Sequence, residues 1–382
     1  MPDPALGSVV SVLMGQSPPG TTCSDAQLGV PLLNGPTEFG EHHPTPRQWT
    51  TDGRRMCREH AVLLCVRGST TGRTNRADRA YAIGRGVAAI EADDPVDQTY
   101  VYYALLLRMS RLLEKTTGSV FPNLARDDIE ALPIPWPSRA IRQAAGGVLR
   151  ALDDKIEANR RAVVAAGQLL LARYDQATAE CLPVNSTAVL EPILGGTPSR
   201  AHPEYWGGTL PWAAAKDVVA APNGIILETA ERISEVGLAD SPAKLASPGT
   251  TLITARGTVG CLARTVTPCS FNQTCYALEP RDGFPALLVY LAVRQGLHGL
   301  GALTHGTIFS TITKPTFDVL QLRIPARTQW HSLVAELAPV DKYAIALSQE
   351  TRALASMSDV LVPTLLNGVA PSRGESLRGE QA

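Results

Sequence analysis

Long apolar runs are missing from this sequence. Stretches such as Leu169 to Ala172 and Pro285 to Val293 fall far short of the roughly 20 residues that cross a bilayer, so no membrane span is expected. No C-x-x-C pair occurs either. The seven cysteines (Cys23, Cys57, Cys65, Cys181, Cys261, Cys269, Cys275) are odd in number and scattered, which argues against a disulfide framework or a zinc site and for buried free thiols. The nearest approach to a ligand cluster, Cys57 with His60 and Cys65, lacks a fourth partner. A Gly-rich dinucleotide-binding fingerprint is also absent, and the N-terminus shows Asp3 but no basic stretch ahead of an apolar one, so the expected location is the cytoplasm.

Charge of one sign is lacking too. A net charge of -1 does not announce a nucleic-acid partner, which usually requires a basic footprint. The average hides a local bias, because Arg47, Arg54, Arg55, Arg58, Arg67, Arg73, Arg76, Arg79 and Arg85 face only Asp52, Glu59 and Asp78 in the same segment. A patch can be basic while the chain is neutral, although a salt-bridged solvated surface explains the same letters. With 382 residues, 44% of them apolar and 19% charged, the chain has globular composition and room for two or three domains.

The sequence repeats itself. Gly15-Gln16-Ser17-Pro18 matches Gly195-Gly196-Thr197-Pro198 at an offset of 180, and Leu64 to Gly68 matches Ile253 to Gly257 at 189. Gly118 to Phe121 matches Gly306 to Phe309 at 188, Leu132 to Pro135 matches Leu322 to Pro325 at 190, and Leu152-Asp153 matches Val340-Asp341 at 188. Collinear matches of this kind indicate a duplicated unit. In each copy a mixed region rich in Gly, Pro and short apolar runs precedes a stretch with helical periodicity.

Ala61 to Val66 and Thr250 to Ala255 read as strands leading into Gly turns, and Gln98 to Leu113 as a helix, so each lobe is α+β. A helical stripe runs through Ile141, Ala145, Val148, Leu152, Ile156, Val163, Ala166 and Leu170, with Asn159 on it. A second, heptad-spaced, passes through Leu333, Leu337, Val340, Ala344, Leu347, Leu354, Leu361 and Leu365. Pro339 should kink or divide the second helix. The expected organisation is a lobe over 1–138, a long helix over 139–182, a second lobe over 183–327, a second long helix over 328–368 and a tail, disordered by expectation, over 369–382. Packed antiparallel, two helices of about 60 Å would relate the lobes by an approximate two-fold axis and hold them well apart, as two half-sites on duplex DNA would require.

These motifs, in this order, resemble the specificity subunits of Type I restriction-modification systems. The resemblance is carried by Gly15-Gln16-Ser17-Pro18-Pro19-Gly20, Arg67-Gly68 after an apolar strand, Gly118-Ser119-Val120-Phe121-Pro122 and the lobe exit Leu132-Pro133-Ile134-Pro135. The helix run from Leu152-Asp153-Asp154-Lys155-Ile156-Glu157 to Arg161 and the closing Val362 to Gly368 complete it. The second helix keeps only Asp341-Lys342 of the helix run. The resemblance implies two target-recognition domains that each read half of a bipartite double-stranded DNA sequence. It further implies helices that bind two methyltransferase subunits carrying S-adenosylmethionine, and restriction subunits that use ATP. The chain itself would bind no cofactor or metal and catalyse nothing, consistent with the lack of an Asn-Pro-Pro-Tyr or Asn-Pro-Pro-Phe motif. Helix residues implied at the partner contacts are Asp153, Lys155, Asn159, Arg160, Asp341 and Lys342. Among rival readings, a helical adaptor could bind proteins through its lobes, and the turn Gly68 to Thr74 could bind ATP, although it is one residue short of a P-loop and has Arg73 where Lys is expected.

Candidate DNA contacts follow from residue chemistry. Arg67 and Arg256 occupy equivalent places, where an arginine can hold phosphate, grip guanine, or pair with a carboxylate of its own lobe. Gln16, Ser17, Ser69, Arg73, Asn75 and Arg76 are further candidates in the first copy, and Thr197, Ser199, Lys216, Thr258, Asn272 and Gln273 in the second.

Overall fold

A computed structural model describes residues 3–40, 43–115, 122–303 and 311–367. The repeat matches at 118–121 and 306–309 and the tail 369–382 lie outside the described residues. The described chain divides into two compact units, one of Met1–Lys155 with Leu354–Ala382 and the other of Ile156–Ala353.

The first unit is built on two sheets that sandwich one core. Val62–Cys65 is a run of consecutive apolar residues because both of its faces are covered. Val62, Leu64 and Val66 join a core with Tyr100, Leu105 and Leu149, whereas Leu63 and Cys65 turn to a second core with Phe39, Tyr81 and Ile83. This strand lies between Val87–Ala92 and Thr74–Arg76, with Val10–Met14 at the edge, all pairs antiparallel. The other sheet runs in the order Cys23–Ser24, Gln48–Thr50, Val30–Leu33, Tyr81–Ile83, Met56–Cys57, with one parallel pair, Val30–Leu33 against Tyr81–Ile83.

The second unit repeats the central strands of this plan, with five strands in the sheet that has four in the first unit and four in the sheet that has five. Thr251–Thr254 lies between Cys275–Pro280 and Leu262–Thr265, with Leu190–Leu194 beyond Cys275–Pro280 and Ile225–Ile226 beyond Leu262–Thr265. Leu252 faces a core with Phe271 and Ala277, while Ile253 and Ala255 face another with Leu288 and Leu291. The parallel pair recurs between Trp206–Ala213 and Cys269–Phe271, with Ala213 opposite Phe271 as Leu33 is opposite Ile83. The duplication expected from short sequence matches is therefore a duplication of fold.

The long helices are Arg139–Thr178 and Trp330–Asn367. Each contributes to both units, because its buried face serves both cores. Ala145 and Leu149 lie with Val362 and Leu366 in the first unit, and Leu170 and Tyr174 with Leu333 and Leu337 in the second. Within the second unit the helices pair antiparallel, Arg173 bonding Glu336 at 2.7 Å and Asn159 bonding Glu350 at 2.8 Å. The stripes differ in detail from the sequence expectation. Ile141 and Val148 are exposed while Leu149 is buried, and Val362 and Leu366 replace Leu361 and Leu365 as the most buried positions. Pro339 does not divide the second helix. Pro339 and Ala335, whose carbonyl loses its helical donor, are both exposed, on the side of the helix where solvent can replace a lost hydrogen bond. The helix expected over 98–113 is two, Gln98–Leu107 and Met109–Glu114.

Among the described residues no helix is long and apolar enough to cross a membrane, and no three His, Cys, Asp or Glu side chains gather as a metal site. Cys57, Cys65, Cys269 and Cys275 are buried free thiols, whereas Cys23, Cys181 and Cys261 are half-exposed. Burial pushes the Cys57 thiol up to about 11 and those of Cys269 and Cys275 up to about 12, because a thiolate loses its hydration there. In the folded protein at pH 8, iodoacetamide should modify Cys23, Cys181 and Cys261 at least tenfold faster than these three, as read by peptide mass mapping; equal rates would contradict the burial. The linkage has a definite sign. Unfolded thiols ionise near 9.0 and the buried ones do not, so the stability they contribute is complete below that pH and is lost progressively between about 9 and 12.

Candidate nucleic-acid interface

In the first unit three loops meet at one edge of the lobe. The strand Val10–Met14 ends in Gly15, whose N–H donates to the Val87 carbonyl at 2.9 Å, and the Gln16 N–H donates to the Ile83 carbonyl at 2.9 Å. This passage runs under the turn Gly84-Arg85-Gly86, which joins the two sheets, and the Ser17 hydroxyl accepts from the Arg85 N–H at 3.3 Å. An added Cβ on Gly15 would lie 2.1 Å from the Gly84 carbonyl oxygen, so only glycine fits. From the other side the Val66 N–H donates to the Gly86 carbonyl at 2.9 Å. Arg67 then leaves the sheet exposed, and Gly68 turns the chain at φ 85°, a conformation that glycine alone adopts without strain.

The second unit builds the same edge. Gly195 donates to Cys275 at 3.2 Å and Gly196 to Phe271 at 3.0 Å. Ala255 donates to Thr274 at 2.7 Å, and Arg256 is exposed before Gly257 at φ 76°. Thr197 bonds through its hydroxyl to the Gln273 side chain, at the tip of the turn that corresponds to Arg85. Asn272 shapes that turn by accepting from the Thr274 N–H at 3.0 Å and from its hydroxyl at 2.6 Å.

The structure thus gathers Gln16, Ser17 and Arg67 on one edge, and Thr197, Arg256, Asn272 and Gln273 on its counterpart. Gln16, Ser69, Lys216 and Thr258 are exposed, as is Ser199, whose hydroxyl accepts from the Ala201 N–H at 3.3 Å. Other candidates belong to the interior. Asn75 is 6% exposed and its side-chain amide donates to the Phe39 carbonyl, so it braces a loop instead of facing solvent. Arg73 donates to the Gly40 carbonyl at 3.3 Å. The P-loop-like turn is closed by its own bonds, the Thr71 hydroxyl donating to Gly68 at 2.8 Å and to Pro122 at 3.0 Å.

Arg76 is committed to Asp153, a residue expected at a partner contact. Their ion pair is 2.7 Å long, Tyr103 donates to the other Asp153 oxygen at 2.7 Å, and the guanidinium lies over the Tyr102 ring. Arg264 and Asp341 repeat the arrangement at 2.6 Å, with Arg264 over Tyr290. Arg76 and Arg264, Tyr102 and Tyr290, and Asp153 and Asp341 each stand 188 residues apart. Asp153 and Asp341 therefore fasten helix to lobe. Asn159, 2% exposed, bonds within its unit to Glu350, whereas Lys155 and Lys342 are exposed and Arg160 is half-buried.

Of the basic segment, Arg54 pairs with Asp52, Arg58 with Glu91 and Arg76 with Asp153, and Arg79 lies against Tyr81. Arg47, Arg55, Arg67 and Arg85 are exposed and make no ion pair with the described residues. The positive surface is narrower than the sequence suggested, and part of it lies at the three-loop edge. Sequence reasoning did not select Arg85 as a contact; applying the repeat offset to Gln273 would have found it.

Residues 55–166 match the family described as the Type I restriction modification DNA specificity domain. A putative type I restriction enzyme specificity subunit, MjaX, of Methanocaldococcus jannaschii is 33% identical over 151 residues, 39% of this chain and 35% of that protein. Over these residues the chain is similar to Type I restriction enzyme specificity subunits. A second relative, the HindI specificity subunit of Haemophilus influenzae, is 24% identical over 181 residues, 46% of this chain and 39% of its own length. These alignments span little more than a third of either relative. The fold of the whole chain is similar to the crystal structure of a Type I restriction-modification S subunit from M. genitalium, with a TM-score of 0.61 and 14% identity over 97% of this chain and 96% of that one. The family match takes in Arg67, Arg85 and the Arg76–Asp153 pair.

Proposed function

We propose that this chain is a specificity subunit that reads a bipartite, asymmetric double-stranded DNA sequence for a Type I restriction-modification complex, one half-site per lobe. The observation that carries the reading is the same three-loop edge built twice, with exposed arginines at matching places and different polar side chains beside them. Identical frames suit two copies of one kind of ligand, and different side chains suit two different half-sequences. Adenine methylation with S-adenosylmethionine and ATP-driven cleavage belong to two methyltransferase subunits and to restriction subunits. The chain works as their guide and binds neither cofactor. Of the helix residues implied at the partner contacts, Lys155 and Lys342 are exposed.

Co-expression with the cognate methyltransferase subunits is expected to place modified adenines in one split sequence, as read by genome-wide methylation sequencing. Random modification by an active complex would overturn the reading. Absence of DNA protection in a footprint with all partners present would favour a protein adaptor instead.

A further inference from the structure

The duplication separates what the two lobes share from what distinguishes them, and the distinction has chemical content if the chain reads DNA as proposed above. Arg67 and Arg256 are the same residue at the same place, each exposed, each immediately before a left-handed glycine. One residue across the Val66 to Gly86 hydrogen bond, and its counterpart from Ala255 to Thr274, stand Arg85 and Gln273. These two occupy the same tip of the same sheet-crossing turn, both exposed, on backbone that is fixed from both sides. Their frames agree while their hydrogen-bonding chemistry differs. Arg85 offers only donors; Gln273 offers a donor and an acceptor.

We propose that Arg67 and Arg256 anchor the DNA backbone in both lobes, and that Arg85 and Gln273 discriminate bases. A residue kept identical where the sequences read must differ suits phosphate, which carries no sequence. A residue that varies on a constant frame suits a base edge. Arginine pairs bidentately with the O6 and N7 of guanine, and glutamine with the N6 and N7 of adenine. The first lobe's half-site should therefore contain a guanine contacted by Arg85, and the second lobe's an adenine contacted by Gln273.

The test uses the full complex with its methyltransferase partners and methylation sequencing over a range of salt. Arg85→Gln should lower the preference for guanine at one position of one half-site by about tenfold while the other half-site is read as before. Gln273→Arg should do the converse in the second half-site. The retained half-site reports in each case that the molecule is folded and assembled. Arg67→Ala should weaken modification of all sequences alike and reduce the salt dependence by roughly one phosphate contact, with the target unchanged. Unaltered base preference in both turn variants, or loss of both half-sites together, would overturn the assignment. A wild-type complex that modifies no defined split sequence would instead remove the reading on which it rests.

Discussion

Asp341→Ala should destabilise the second lobe by about 3–5 kcal/mol, measured as a fall in the urea midpoint of its unfolding. Arg264 is 6% exposed and Asp341 9%, so the substitution leaves a guanidinium buried over the Tyr290 ring without its counter-charge. The same attraction does not make the pair strongly stabilising in itself, since both ions lose their hydration on burial. Arg264→Met combined with Asp341→Leu should therefore recover most of the loss, and the full cycle separates the cost of an orphaned charge from the worth of the bond. A single substitution costing under 1 kcal/mol would mean that water reaches the pair. Asp153→Ala should cost less, about 2 kcal/mol, because the Arg76 side chain is 30% exposed and can recover part of its hydration.

Alanine at Gly15 or Gly195 should be nearly as disruptive, costing about 3 kcal/mol. The new methyl would lie 2.1 Å from the Gly84 oxygen in the first lobe, or 2.2 Å from the Asn272 oxygen in the second, and these are backbone atoms that no rotamer change can move. Relief requires displacing the turn that carries Arg85 or Gln273, so reading by that lobe should fail along with its stability. Gly147→Ala is the control. Nothing lies within 4 Å of its added Cβ, it sits in the helix Arg139–Thr178, and the substitution should stabilise by about 0.8 kcal/mol. A thermal melt showing equal effects at Gly147 and Gly15 would refute the close-packing account.

Much of this architecture was legible in the letters because local pattern and tertiary role coincide. A strand covered on both faces can be continuously apolar, as in Val62 to Cys65, and long helices must show a stripe. The stripe slipped by one residue at Leu149 and Val362, where the helix faces a lobe's core; periodicity alone does not fix that rotation. Arg76 looked like a ligand contact because its partner lies 77 residues away, beyond any local pattern. The offset of 188 contained the answer, since it carries Arg76, Tyr102 and Asp153 together onto Arg264, Tyr290 and Asp341. Arg85 was obscure because it shares no letter with Gln273, so the offset of 188 pairs them without a matching residue and the backbone hydrogen bonds supply the support.

The division of the long helices between the two units bears on how the polypeptide acquires its structure during synthesis. One unit is a single uninterrupted stretch, Ile156–Ala353, and all the segments of its core have been synthesised before Leu354 is added. The other begins at the N-terminus yet takes Val362 and Leu366 into its core. The lobe translated first is thus the one completed last, and a chain halted at Ala353 would carry a finished second lobe beside a first one that still lacks part of its hydrophobic interior.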